Sequence, residues 1–424
     1  MLSNIYLGSY AILWIVITTL FIYKKKTIGI GGFLLIIYSI SSLASIIYFN
    51  ALGGIMKGEA VDIEKEPLFF LFICLNICML PIYIHSEQLT QLKIHSISSR
   101  EISFIKIILS IFAPFIIEAF LEMIYIASTI KTNELQEIYS SDDYEISNKL
   151  SFIGKYTTWI CRRLVYIWPI LFFYLFINKV NRKYSYLALT AYFVNILYSY
   201  SNAARVGIVK LIFLFIIVFM LFWNNMNTIM RKKIIKSGLI ISILFILMLA
   251  LITISRYSSM KTGLDIIGWI SLYLGESHIN FCQYVWDLKN TSEGDNMFSM
   301  AKTLIGMDAI TDLDLRREHW SGVLGIPTHI FYSWVGDLYL DLGRLATLFF
   351  CILFSIFLEL YIRKILRNKT YSLLSIFVMS MSLLILLFGF MYFPYKTYNQ
   401  QILILYSIAF LIICRLYSKT SKKY

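Results

Sequence analysis

Apolar residues run through this chain in long stretches, separated by short polar joints that carry most of the basic side chains. The stretches fall at 4–23, 28–50, 67–84, 102–126, 164–178, 184–200, 206–223, 237–254, 343–362, 371–393 and 400–417. Most approach the roughly 20 residues a helix needs to cross a bilayer. A helix also satisfies its backbone N–H and C=O groups internally, which lipid cannot do for it. The pattern predicts an all-α polytopic membrane protein of about eleven transmembrane helices. Composition agrees. The 424 residues are 58% hydrophobic and 17% aromatic, with a mean hydropathy of +0.71, more apolar surface than a soluble chain of this length buries. The first span begins near Met1 without a basic lead-in or small-residue cleavage site, so it reads as a retained helix.

The polar joints are of two kinds. Lys24–Lys25–Lys26, Lys179/Arg182/Lys183, Arg231–Lys232–Lys233/Lys236, Arg363–Lys364/Arg367/Lys369 and Arg415/Lys419/Lys422/Lys423 hold no acidic residue. Alternating spans gather all five on one side if the N-terminus lies outside and the C-terminus in the cytoplasm. The formal charge of +13 therefore reads as a positive-inside signal, and no nucleic-acid partner is expected. The opposite joints, 51–66, 131–163 and 255–328, are mixed or acidic. The chain then divides into an N-terminal membrane bundle at 1–254, a large extracytoplasmic loop at 255–342 and a C-terminal membrane bundle at 343–424. Loops that long are usually functional. Within it, Ile266 to Leu288 spreads Trp269, Tyr273, Phe281 and Trp286 among polar residues, as amphipathic helices at a membrane interface do.

Six cysteines lie mostly inside apolar runs, and Cys74 and Cys78, one helical turn apart, read as packed thiols. With no Cys/His zinc pattern, neither metal nor cofactor is expected. Cations on the outer side are more informative, because outward charge works against insertion. Arg205 and Lys210 open one span, Arg256 closes another, and Arg316 and Arg317 sit in the long loop. Guanidinium binds phosphate through two parallel hydrogen bonds, so this set could hold a diphosphate. Anchoring to lipid phosphates accounts for any one of them equally well. Glu118 and Glu122 share a helix face after Pro114 and supply a proton acceptor, unless Arg162, Arg163 or Arg205 pairs with them. His278, His319 and His329, with Glu276 and Asp337 near two of them, are the other candidates for taking a proton from a sugar hydroxyl, the alternative being a packed or solvated imidazole. Asp312–Asp314 reads as a solvated acidic turn.

Two local patterns carry a resemblance. "SNAARVGIVKLIFLF" is similar to an Arg-small-Gly lead into a span, and "PTHIFYSWVGDLYLDLGRLATLFF" to a Gly-x-x-Tyr-x-x-x-Gly lead into the span after a large loop. With the layout of spans and late outer loop, they resemble the Wzy-type O-antigen and capsule repeat-unit polymerases of bacterial envelopes. The paired Arg-x10-Gly motifs of some members are not present, and His329 is followed by Ile330 where the related ligases have a His-Asn pair. The resemblance implies a multi-pass glycosyltransferase of the bacterial inner membrane, joining undecaprenyl-diphosphate-linked glycans at its outer face. It also implies membrane lipids, a chain-length regulator and a flippase as partners. Arg205, Lys210, Arg256, Arg316 and Arg317 would neutralise the leaving diphosphate, and one of Glu118, Glu276, His278, His319, His329 or Asp337 would serve the acceptor hydroxyl. An O-antigen ligase, another polyprenyl-linked glycosyltransferase, or a polysaccharide or lipid-linked oligosaccharide transporter are the alternatives.

Overall fold

The structure is a computed structural model that describes residues 2–52, 62–94, 99–131, 134, 146–257 and 266–420. Lys261, Asp265 and most of the 51–66 and 131–145 joints therefore lie outside the described residues. The chain is helical almost throughout: α1 (Leu2–Lys25), α2 (Gly29–Leu52), α3 (Lys65–Gln91), α4 (Ser99–Thr129), α5 (Phe152–Arg163), α6 (Trp168–Ile177), α7 (Arg182–Ser201), α8 (Arg205–Phe222), α9 (Thr228–Tyr257), α10 (Ile266–Asn280), α11 (Ser299–Leu304), α12 (Leu313–Leu324), α13 (Ser333–Asn368), α14 (Leu373–Phe388) and α15 (Tyr398–Thr420). Each apolar stretch of the sequence falls on one of these helices. Among the described residues, seven are long and apolar enough to cross a membrane, or up to eight if α5 and α6, bent by 69°, form one span. The protein is thus an all-α, polytopic membrane protein.

Two compact units divide the chain. The first comprises Met1–Gln91, Gly263–Asn368 and Met381–Ile402, and the second Leu92–Thr262, Lys369–Ser380 and Leu403–Tyr424.

In the first unit, α10 packs along α2, and α13 along α3. The α2 face is built from small residues, Ser41, Ser42, Ala44 and Ser45, all buried. Small side chains let two helix backbones approach closely, which substitutes for the hydrophobic drive that lipid removes. Gly275 completes the contact: a Cβ there would stand 2.3 Å from the Ser45 nitrogen and 2.5 Å from the Ala44 carbonyl carbon. The polar side of α10 is turned into this seam. Ser271, Glu276, Ser277 and His278 are buried, while Ile267 and Ile270 are 61% and 56% exposed. The helix expected from the sequence over this stretch is present at 266–280. Its polar residues find hydrogen-bond partners inside the protein; Leu272 and Ile279 are buried with them, and Ile267 and Ile270 face outward.

The span expected to begin at Gly343 is instead the second limb of α13. Gly343 has φ 74° and ψ 179°, a conformation that Cβ-bearing residues rarely adopt, and it breaks the helix there. Residues 333–342, assigned from sequence to the loop, form the first limb. Its start is fastened by Ser333 N–H to the Met391 carbonyl (2.8 Å) and Trp334 N–H to the Gly389 carbonyl (3.0 Å).

In the second unit, α7 packs against α4 and α6, and α5 against α4. The turn between α7 and α8 is tight. Asn202, Ala203 and Ala204 donate backward to Tyr198, Tyr200 and Ser199 carbonyls, Ala203 adopts φ 51°, and Arg205 opens the next helix.

The α2–α10 seam makes a direct prediction. Gly275→Ala must push two backbones apart and is expected to cost about 3 kcal/mol or more. Gly322→Ala, where nothing lies within 4 Å, should be neutral. Thermal unfolding of the detergent-solubilised variants measures the difference; equal melting temperatures would remove the seam as a determinant of stability.

Candidate functional site

Asp337 and Asp341 lie one turn apart on the first limb of α13, and both are buried (0% and 3% exposed). A buried carboxylate requires donors for each oxygen. Asp341 Oδ1 accepts from the Ser292 hydroxyl (2.6 Å) and Asn296 N–H (2.9 Å), and Oδ2 from Met297 N–H (2.6 Å). Ser292 N–H closes the clamp by donating to the Leu340 carbonyl at 2.6 Å. The 292–297 segment is thereby fixed, and its Asn296 side-chain amide reaches Asp337 Oδ1 at 3.0 Å. Asp337 also accepts from Lys396 Nζ (2.8 Å) and, at Oδ2, from Phe393 N–H (2.8 Å). Asp295 accepts from Lys302 Nζ (2.5 Å) and the Trp320 indole N–H (3.2 Å).

Arg316, on α12, sits within this frame at 3% exposure. The helix that carries it is capped by Asp312, which accepts from the Asp314 and Leu315 N–H groups, and it ends at Gly325 in a left-handed conformation. Asp312–Asp314 is therefore a helix cap. Arg316 Nη1 donates to the carbonyls of Asp295 (2.9 Å) and Lys396 (3.1 Å). Its Nη2 has no hydrogen-bond partner among the described residues. The adjacent carboxylates are already engaged, Asp295 by Lys302, Asp337 by Lys396, and Asp341 by the loop's amides. Arg316 feels their charge without being salt-bridged by them. Burial pulls its pKa down while Asp341 and Asp337 push it back up, and a guanidinium stays protonated throughout. A small cleft bordered by Asn296, Arg317, Trp320, Thr328 and Lys396 adjoins it, and Nη2 itself is shielded from solvent. Arg317 is more exposed and pairs with Asp314 at 3.3 Å. The arrangement is a fixed guanidinium with Nη2 unbonded, beside Arg317, which pairs with Asp314, and Lys396, which pairs with Asp337.

The other candidates fall elsewhere. In the first unit, Glu276 is buried on α10 and hydrogen-bonded by Asn280. His278 is fully buried between two hydroxyls: Nε2 lies 2.8 Å from Ser41 Oγ and Nδ1 3.3 Å from Tyr10 Oη. Ser41 donates its single proton to the Leu274 carbonyl at 2.5 Å, so it accepts from Nε2–H, and Tyr10 donates to Nδ1. Every position on that ring is occupied, which makes His278 a pin between α1, α2 and α10. His319 is exposed and meets Trp320 edge-on at 4.9 Å; His329 is exposed in the turn after Pro327.

In the second unit, Arg205 and Lys210 are both buried on α8 (8% each). Glu118 accepts from the Thr157 hydroxyl, and Glu122 from Ser151 through N–H (2.5 Å) and hydroxyl (3.2 Å). These glutamates seat the N-terminal turn of α5, where the helix dipole favours negative charge. They do not pair with Arg162 or Arg163, whose guanidiniums lie over Tyr198 (3.9 Å) and Trp159 (4.6 Å). Arg256 lies on the last turn of α9, and its side chain is outside the described residues.

Among the sequence candidates, then, Arg316, Arg317 and Asp337 come together. Sequence reasoning missed Asp295, Asn296, Lys302, Trp320, Asp341 and Lys396 as site components. The four-residue spacing of Asp337 and Asp341 was the available signal, since on a helix it puts both carboxylates on one face. Six buried free cysteines bear out the reading of packed thiols. No group of three or more His, Cys, Asp or Glu able to hold a metal occurs among the described residues. No family model, curated protein or solved structure matches the chain.

The Asp337–Lys396 pair predicts a coupling. Asp337→Asn leaves a largely buried ammonium without its counter-charge and should cost more than the double variant Asp337→Asn/Lys396→Met, with an interaction energy of about 1–3 kcal/mol. Thermal melts of the four proteins measure it; strictly additive shifts would show the pair to be uncoupled.

Proposed function

We propose that this chain polymerises undecaprenyl-diphosphate-linked oligosaccharide repeat units at the outer face of the bacterial inner membrane. The single observation that carries the reading is Arg316, a buried guanidinium with an unoccupied Nη2 at a cleft it shares with Arg317 and Lys396. Keeping such a cation out of a salt bridge makes sense if an anion arrives to complete it. The one-sided basic joints and the layout described from the sequence support the orientation and the class.

In the reaction, an acceptor sugar hydroxyl attacks the anomeric carbon of the donor glycan. A new glycosidic C–O bond forms as the bond from that carbon to the diphosphate oxygen breaks. The leaving diphosphate takes the electron pair, and the hydroxyl proton passes to a general base among the carboxylate and imidazole side chains named from the sequence. Charge develops on the departing oxygen, where fixed donors in a water-poor site are worth most. Arg316 would meet it through Nη2, with Arg317 and Lys396 nearby. The membrane helices hold two polyprenyl chains so that their reactive ends meet, and proximity supplies much of the rest.

Deleting the gene should leave envelope glycan as single repeat units, read on a polysaccharide gel; unchanged long chains would end this reading. Complementation with Arg316→Ala or Arg316→Lys, at wild-type protein levels by immunoblot, should lower long-chain product by about a hundredfold. Lysine fails alongside alanine because an ammonium on a flexible stem cannot be held by the Asp295 and Lys396 carbonyls while still pointing a donor at the anion. Full chain length in the Arg316→Ala strain would remove this residue from the site.

A further inference from the structure

Beside the cationic cleft runs a strip of aromatic rings that the anion site does not use. Phe331 and Tyr392 are stacked, with centroids 5.3 Å apart and planes at 12°, and Tyr273 continues the strip at 6.4 Å from Phe331. All three rings are only partly buried. Elsewhere in this unit Phe357 stacks on Tyr361 at 6.1 Å and 13°, a pair of two rings on one helix, whereas the strip joins rings from three separate segments.

The strip is rigid from below. The Asn280 side chain donates to the Phe331 carbonyl at 3.0 Å, and the next residue, Tyr332, is held by its hydroxyl on the Pro327 carbonyl at 2.5 Å. Tyr392 lies between two anchored neighbours: the Met391 carbonyl accepts from Ser333 N–H, and Phe393 N–H donates to Asp337. Its ring also abuts Phe388 edge-on at 5.2 Å. One end of the strip adjoins a carboxylate, because Phe393, the residue after Tyr392, donates its N–H to Asp337. The same segment, Tyr392 to Lys396, thus links the ring strip to the cleft. Near the other end, Tyr273 shares α10 with the buried Glu276 and Asn280.

We infer that Tyr273, Phe331 and Tyr392 form a platform on which pyranose rings of the glycan lie while its anionic group reaches Arg316. The inference rests on the glycan reading of the cleft above. A sugar ring presents an apolar face of C–H groups and a polar edge of hydroxyls. An ordered aromatic surface bordered by charged and amide side chains complements both. Rings already locked by their backbone neighbours lose little entropy on binding, which favours a platform over mobile contacts. Of the three, Phe331 occupies the middle and touches both others.

The test uses the full-length protein in nanodiscs and, as probe, the repeat-unit oligosaccharide released by mild acid from the host's own envelope glycan. Saturation-transfer NMR should show the sugar C–H protons receiving magnetisation from the wild-type protein. Phe331→Ala should weaken binding of the probe by about fivefold, as expected for one lost aromatic contact of about 1 kcal/mol. Phe331→Trp and Tyr392→Phe should retain it, which guards against a folding defect in the alanine variant. No transfer with the wild type, or equal transfer with Phe331→Ala, would overturn the platform and leave these rings as contacts to the bilayer interface. The two readings fail separately. Transfer that depends on Phe331, in a protein whose gene deletion leaves long chains intact, supports the platform while retiring polymerisation.

Discussion

The carboxylate of Asp341 is the interaction on which the rest of the site depends. Buried at 3% exposure, it draws three donors from the 292–297 segment and holds that segment against the first limb of α13. Only because the segment is held can Asn296 reach Asp337. Asp337 in turn fixes Lys396, and the Lys396 carbonyl and the Asp295 carbonyl together orient Arg316. Each link spends its charge or lone pair on the next. The last member is left with a bonding direction that nothing in the described chain fills. The order matters physically: a guanidinium tied directly to Asp295 or Asp337 would be stable but chemically silent.

The same logic of satisfied polar groups shapes α10. In water an amphipathic helix hides its apolar side, but here Ser271, Glu276, Ser277 and His278 are hidden and Ile267 and Ile270 face out. The His278 ring shows how complete the satisfaction is, with a hydroxyl on each nitrogen and a carbonyl behind one of them. Close approach through Gly275 and the serines of α2 is what brings those partners within reach. Backbone proximity and polar pairing are thus one device.

Much of the fold was legible because hydropathy reports directly on the solvent a segment meets. Every apolar stretch became a helix, and the "SNAARVG" segment became the tight turn its small residues suggested. The site was less legible, and for a definable reason. Arg316, Arg317 and Asp337 drew notice as charged residues in a loop, whereas their partners Asp295, Lys302 and Lys396 lie up to about a hundred positions apart and meet only through packing. Glu118 and Glu122, spaced like an acid–base pair, are hydrogen-bonded to the start of α5, and nothing local in the sequence distinguishes the two uses. For helix α10 the sequence showed two faces without saying which of them packs into protein, because amphipathicity alone does not name the partner.

The break at Gly343 has a geometric meaning that its position alone hides. Residues 337, 341, 345 and 349 recur at intervals of four, so in one continuous helix they would form a single slowly drifting stripe. Yet Asp337 and Asp341 are buried at 0% and 3%, while Leu345 and Phe349 are 82% and 63% exposed. All of 333–341 is buried, so the first limb meets protein on every side, whereas the second limb alternates buried Thr347, Cys351, Leu358, Ile362 and Ile365 with exposed hydrocarbon. Gly343 stands where a helix enclosed all round becomes one with an open apolar face.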